Sequence, residues 1–254
     1  MPPVEIFDRS ARRRAFYASQ RAEAGDRWLL ARMADEILFR LDAVKRSFAR
    51  TLIIGSYAAD ISGILDQRGM SGAIASIRPV DAPWPFIICD EDRMAIKDQS
   101  FDLVLAAGGL DSVNDLPGAL ILIRRILTPG GLFMGAMAGA GSLLSLKPVL
   151  TGDGAILRSH PQIDVRAAGD LLSRAGFALP VADADIVDTR YTSLPRLFAD
   201  IRANALGNCL TNRIPLCRAD MTKIQDRFEA ALATDGRFCE QFNLIYLTGW
   251  APDF

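Results

Sequence analysis

The residues of this chain that could do chemistry are few, and most of them stand at the ends of short apolar runs. Asp90 follows Phe86-Ile87-Ile88-Cys89 directly. A carboxylate at the end of a parallel strand can accept from an adenine amino group, and the backbone after it, at Glu91, can add a contact. The other reading is that Asp90 caps the short helical turn that follows. Gly55-Ser56-Tyr57 closes a second apolar run, Thr51-Leu52-Ile53-Ile54. Glycines at such a place let the backbone approach a nucleoside and adopt positive φ. Here only Gly55 remains of the expected spaced glycines, and Tyr57 puts a large ring where the chain should be thin. Ser76 stands where a ribose-binding acid is expected, because a carboxylate can accept from two hydroxyls at once. The nearest acid, Asp81, lies past Pro79. Ala106-Ala107-Gly108-Gly109 is small enough for a ligand to lie against.

Candidates for proton transfer are His160, the only histidine, and Asp111 after the Ala-Gly segment. Each also has a plain reading, as a structural and a solvated side chain respectively. Tyr191, Arg190 and Asn208 could line a substrate site. There is no Ser-His-Asp arrangement, no Gly-Lys phosphate loop and no acid pair of recognisable spacing. The four cysteines, Cys89, Cys209, Cys217 and Cys239, form no C-x-x-C pair, so with one histidine no metal site is expected. Scattered cysteines suit a reducing compartment, and a cytoplasmic protein is expected.

The elements that must position these residues centre on residues 100–137. Phe101-Asp102-Leu103-Val104-Leu105 is a strand, residues 116–126 are a helix, Pro129-Gly130-Gly131 is a break, and residues 132–137 are a second strand. Strand, helix and strand imply a parallel pair with a right-handed crossover. Upstream, residues 51–54, 72–77 and 86–89 read as strands, with a helix over 58–67 and a Pro-rich loop over 79–85 that begins just after Arg78. Gly69 falls near that helix's end. Residues 26–44 carry apolar side chains at helical spacing. Residues 4–24 read as a basic helix with Phe7, Phe16 and Tyr17 as anchors, either solvated or moving as a flap. Downstream, residues 139–160 form a long connection of the kind that serves as a lid or binding loop. A helix over 164–175, an extended stretch over 177–187, helices over 195–205 and 221–234 and a strand over 242–250 complete the chain.

The 254 residues fit one α/β domain with an insertion, or two small domains. A net charge of −1 gives no global field toward nucleic acid or an anionic membrane. No apolar run approaches the roughly 20 residues of a transmembrane helix, and the charged N-terminus is unlike a secretory signal.

The stretches Phe101-Asp102-Leu103-Val104, Val113-Asn114-Asp115-Leu116-Pro117, Leu127-Thr128-Pro129-Gly130-Gly131-Leu132-Phe133 and Leu171-Leu172-Ser173-Arg174-Ala175-Gly176-Phe177 resemble a class I S-adenosylmethionine-dependent methyltransferase domain of the type 11 group. The whole chain resembles bacterial relatives of the mitochondrial complex I assembly methyltransferase-like proteins, near the biotin-synthesis methyltransferases. The carriers are Phe7-Asp8-Arg9, Gly135-Ala136-Met137, His160-Pro161 with Asp164-Val165-Arg166, and Thr248-Gly249-Trp250. The resemblance implies a Rossmann-like α/β fold with helices on both faces of a seven-stranded, mostly parallel sheet ordered 3-2-1-4-5-7-6. It implies an N-terminal helical segment over residues 1–45 and a methyltransferase-like domain over 46–254 with a helical insertion at about 194–241. It implies S-adenosylmethionine held by Gly55, Ser56, Tyr57, Ser76, Asp90, Glu91, Ala106 and Ala107. The function implied is methyl transfer to an unknown acceptor, in particular a protein during respiratory complex assembly. The alternative is a non-catalytic scaffold that binds a protein partner and has little cofactor affinity. The oligomeric state stays open.

Overall fold

The structure is a computed structural model that describes residues 5–68, 73–77, 86–152 and 158–253. The expected loop over 79–85 and the positions Gly69, Gly72, Arg78 and Asp81 lie outside the described residues.

Helix α1 (Arg9–Gln20) opens the chain. Asp8 is its N-cap, accepting from the N–H groups of Ser10 (2.9 Å) and Ala11 (3.1 Å). A 3-10 turn leads into α2 (Trp28–Ala43), whose apolar face is the one expected from its spacing: Leu29, Leu30, Met33, Ile37, Leu38 and Leu41 are all buried. Then come β1 (Arg50–Ile54), α3 (Ala58–Gln67), β2 (Ala73–Ile77), β3 (Phe86–Ile87), β4 (Phe101–Ala107), α4 (Leu116–Ile126) and β5 (Leu127–Ala138). They are followed by α5 (Leu146–Thr151), α6 (Val165–Arg174), β6 (Ala178–Tyr191), α7 (Leu194–Ala203), α8 (Arg218–Ala230) and β7 (Phe238–Trp250).

The strands form one sheet in the order β3-β2-β1-β4-β5-β7-β6. β1 pairs in parallel with β2 and β4, and β4 with β5; β7 runs antiparallel between β5 and β6. Period two divides the side chains. Ile53, Leu103, Leu105 and Ala107 face the core beneath α2 and α3, while Leu52, Ile54, Val104 and Ala106 face the core beneath α4 and α6. Because both faces are covered, residues 52–54 of β1 and 103–107 of β4 read as unbroken apolar runs.

Several bounds differ from the sequence reading for local reasons. β5 does not wait for Pro129-Gly130-Gly131 to pass. Gly130 N–H donates to Ala251 O (3.0 Å) and Ala251 N–H to Gly131 O (2.8 Å), so pairing with the chain after β7 continues through the break. β3 stops at Ile87, and Asp90 precedes a single 3-10 turn, Glu91–Arg93. The long connection over 139–160 contains α5, whose first N–H groups find an acceptor in the buried Glu240 carboxylate: Ser145 N (3.1 Å) and Leu146 N (2.7 Å).

A closed strand-end site and an adjoining cavity

The carboxyl ends of β1, β3 and β4 converge where a nucleoside site is expected. Gly55 has φ +108°, and a side chain there would run into the carbonyl oxygens of Ala107 and Gly108. Ala106 and Ala107 are fully buried, and Ser56 is buried with no hydrogen-bond partner for its Oγ among the described residues. The Tyr57 ring does not obstruct the strand end. It turns into the core beside α2, under the Arg27 guanidinium at 5.0 Å, which in turn grips Asp60 at 2.7 and 2.9 Å. Burial, and then the Asp60 charge, push its phenol above the usual range. Ser76 stands in β2 opposite Ile53; its side chain is outside the described residues. Asp90 makes no side-chain cap on the following turn. Its Oδ2 lies 3.2 Å from Arg9 Nη1 instead.

α1 is seated directly on these ends. Arg9 reaches Asp92 with two bonds, Nη1 to Oδ1 (2.7 Å) and Nη2 to Oδ2 (2.8 Å), the fork-to-fork geometry that suits a guanidinium. Arg12 is 3% exposed and spends all three nitrogens: Nη1 on Glu91 Oε2 (2.6 Å), Nη2 on Gly109 O (2.7 Å) and Nε on Ser112 Oγ (3.0 Å). Phe16 covers Gly109 and lies under the Arg12 guanidinium, while Leu30 from α2 covers Gly108. The lead-in to α1 is stitched down on both sides. Phe7 exchanges two hydrogen bonds with the Asn114 side chain (2.8 and 3.0 Å), and Asp8 N–H donates to Cys209 O (2.8 Å). The basic N-terminal helix is therefore an integral layer of the site, with Arg12 buried and Arg9 half-buried, while Arg14 stays exposed.

An adenosyl cofactor fits this arrangement only in part. The glycine cradle, the orphaned Ser56 hydroxyl and the Asp90 carboxylate are in place. The space over Gly108 and Gly109, however, is filled by Leu30, Phe16 and Arg12, and the acids after β3 are taken up by Arg9 and Arg12. With α1 seated, the strand ends do not make room for the group.

A cavity of about 410 Å³ lies beyond Arg12. Asp111, after β4, and Ala138, at the end of β5, contribute to its lining, as do His160 and Asn208. His160 Nε2 accepts from Cys209 N–H (2.9 Å), which places the ring proton on Nδ1, and its ring meets Phe7 edge-on at 5.0 Å. Burial lowers the His160 pKa, against the Asp111 charge, so the ring is neutral at pH 7. Burial likewise raises Asp111, opposed by His160 and Arg12. The Cys209 thiol, with Sγ 3.2 Å from Nε2, is pushed up to about 12 by burial and is no nucleophile. The structure thus brings Asp111, His160 and Asn208 together. It does not bring Tyr191 and Arg190 to them. Both line a separate groove between α2 and β6, with Tyr191 Oη bonded to Asp200 (3.0 Å) and Arg190 to Asp235 (2.9 Å). Sequence reasoning missed Arg12, which sits among other arginines at helical spacing and carries no local mark of burial. Among the described residues no cluster of three metal-ligating side chains occurs, and no helix is long and apolar enough to cross a membrane.

Residues 56–135 match a methyltransferase domain family. Over nearly its whole length the chain is similar to the arginine-hydroxylase NDUFAF5, mitochondrial, of Danio rerio, at 28% identity, covering 98% of this chain and 84% of that protein. It is similar to the malonyl-[acyl-carrier protein] O-methyltransferase of Laribacter hongkongensis at 26% identity, covering 87% and 82%. Among solved structures, the Burkholderia thailandensis 1,6-didemethyltoxoflavin-N1-methyltransferase, with its substrate and S-adenosylhomocysteine bound, superimposes with a TM-score of 0.54 at 14% identity, covering 96% of this chain and 89% of that one. A Rossmann-like sheet, a domain match across its central strands and relatives that align almost end to end make this chain similar to methyltransferase-domain proteins, in sequence over residues 56–135 and in fold beyond them.

Proposed function

We propose that the chain is a methyl-transfer protein in its closed form, with the cofactor shell beneath α1 and the acceptor in the cavity beside His160. The seven-strand order, with its last pair antiparallel, is taken as the class I methyltransferase arrangement. The shell is assigned to Gly55 and the backbone of Ser56 and Tyr57, to Ser76, to Asp90 and Glu91 for the base, and to Ala106 and Ala107. In domain terms, residues 1–45 form the helical segment that closes the site, and 46–254 the methyltransferase-like domain with its insertion at about 194–241. One observation carries this reading. Arg12 stands between the strand ends and the cavity, bonded to Glu91 on one side and acting through its charge on Asp111 and His160 on the other. Lifting α1 would open both at once. The acceptor would then sit beside the His160 ring, whose basic nitrogen is already engaged by Cys209 N–H, so the protein's part would be chiefly positioning.

A protein substrate or partner is carried over from the NDUFAF5 likeness, with a cytoplasmic setting that suits scattered cysteines without a C-x-x-C pair and no role for nucleic acid. A second reading, a scaffold without cofactor, is favoured by the loss of the spaced glycines after β1 and by Ser76 in place of an acid. Calorimetric titration with S-adenosylmethionine and S-adenosylhomocysteine separates them. Binding by the wild type, or by Arg12→Ala with α1 loosened, supports the enzyme reading; no heat from either protein at millimolar ligand leaves the scaffold. If binding is seen, Asp90→Ala must weaken it.

A further inference from the structure

We propose that the cavity beside His160 takes an aliphatic acid, a single apolar chain ending in a carboxylate or phosphate, with Arg158 as the residue that holds the head group. This rests on reading the cavity as the acceptor site, although not on cofactor binding. The walls are apolar, built by Leu143, Leu146, Leu150, Phe198 and Ile201. The charged lining is one-sided. Among the described residues it carries Lys147, Arg158, Arg202 and Arg213 against the single carboxylate of Asp111. That carboxylate is already compensated, accepting from Gly109 N–H (3.1 Å) and lying under the influence of Arg12.

Arg158 is the informative cation. Its side chain is 12% exposed, Nη2 lies 3.5 Å from Asp220 Oδ2, and Nη1 is buried with no hydrogen-bond partner among the described residues. A guanidinium N–H kept from water without an acceptor is costly, and an anion in the cavity would satisfy it. Arg213 is committed elsewhere, to Asp8 (2.8 Å) and Leu210 O (2.9 Å), Lys147 is bonded to Gln162 (2.9 Å), and Arg202 is exposed to water, which leaves Arg158 as the buried cation of the lining with a donor to spare. The same cations oppose a positively charged ligand, since like charges brought together in a site of low polarity reject the wrong partner. The cavity therefore selects for an acid and against a peptide arginine.

The test is calorimetric titration of the full chain, without cofactor, with decanoate, decyl phosphate, decan-1-ol and decylamine. The expected result is one acid bound per chain, with decan-1-ol at least about tenfold weaker and decylamine weaker still. Decanoate against decyl phosphate tells which head group is preferred. Arg158→Gln should weaken the acids about tenfold and leave decan-1-ol unchanged, while Arg125→Gln, on the surface away from the cavity, changes nothing. Equal affinity for decanoate and decan-1-ol would overturn the proposal, as would Arg158→Gln that melts like the wild type and binds acids as well. Should Arg158→Gln fail to fold, a wild-type chain-length series decides. Affinity should rise by about fourfold per added methylene and then stop when the chain outgrows the cavity; a rise without limit, or binding at many sites, overturns it. These titrations can fail while cofactor titration succeeds, and the reverse, so the two readings fall separately.

Discussion

Arg12 Nη1 lies 2.6 Å from Glu91 Oε2, with the two side chains 4% and 1% exposed, so a helix from the start of the chain and the turn after β3 share one buried ion pair. Breaking such a pair from one side leaves a charge with no compensation and costs about 3–5 kcal/mol. Arg12→Ala should therefore lower the melting temperature by roughly 6–20 °C in a chain of this size. The double change Arg12→Met with Glu91→Leu should recover most of that loss, because it removes both charges. A single variant that melts with the wild type would show that the pair adds nothing to the fold.

Arg9 holds the outer side of α1 through Asp90 and Asp92. Arg9→Ala should raise the fraction of molecules with α1 lifted, and apparent cofactor affinity follows that fraction. The expected outcome is cleavage within α1 by a limiting protease about tenfold faster, with S-adenosylmethionine binding strengthened in proportion. Faster cleavage with no change in binding would separate α1 from the cofactor site.

His160 sets a pH dependence. Burial holds its folded-state pKa below the unfolded value of about 6.5, against the neighbouring Asp111 charge and with the Arg12 charge. The unfolded chain then takes up the proton first, so the contribution of this group is complete above about pH 6.5 and is lost as pH falls toward the lowered pKa. Thermal melts of the wild type should lose stability between about pH 7 and 5, and His160→Gln, which can still accept from Cys209 N–H, should flatten that slope. Parallel slopes for the two proteins would remove His160 from the account.

Glu240 is 1% exposed and accepts three backbone N–H groups, from Ser145, Leu146 and Gln241. A glutamine in its place sets its NH2 against one of those donors. Glu240→Gln should cost about 1–3 kcal/mol by chemical denaturation. It should also loosen α5, the wall of the cavity that carries Leu146, so acid binding weakens with it. Unchanged stability would mean that α5 is held by its apolar face alone.

The strand, helix and strand over 101–137 were legible because two apolar runs, a helical run and a Pro-Gly-Gly break lie next to one another in sequence. Gly55 was legible for the same local reason, as the residue that follows β1, whereas β3 stops at Ile87, short of Asp90. Arg12 was not. Nothing within a helical turn of it differs from Arg13 or Arg14, and its partner is 79 residues away. The direction of the Tyr57 ring was equally hidden, since it depends on Arg27 and on the core under α2. The cavity escaped notice for a third reason. Its walls come from α5, α7 and the irregular chain before α8, where no periodicity marks a face.

The placement of β7 has a consequence for how the protein is made. It follows β6 in the chain yet lies between β5 and β6 in the sheet. While the ribosome is still adding residues 238–250, β5 has an open edge and β6 has no partner among the described strands. Two of the seven strands therefore join the sheet only once residues 238–250 have been made, through contacts distant in sequence, which are slow to form. In that interval the nascent chain presents an unpaired edge to its neighbours, the state in which newly made chains most readily stick to one another.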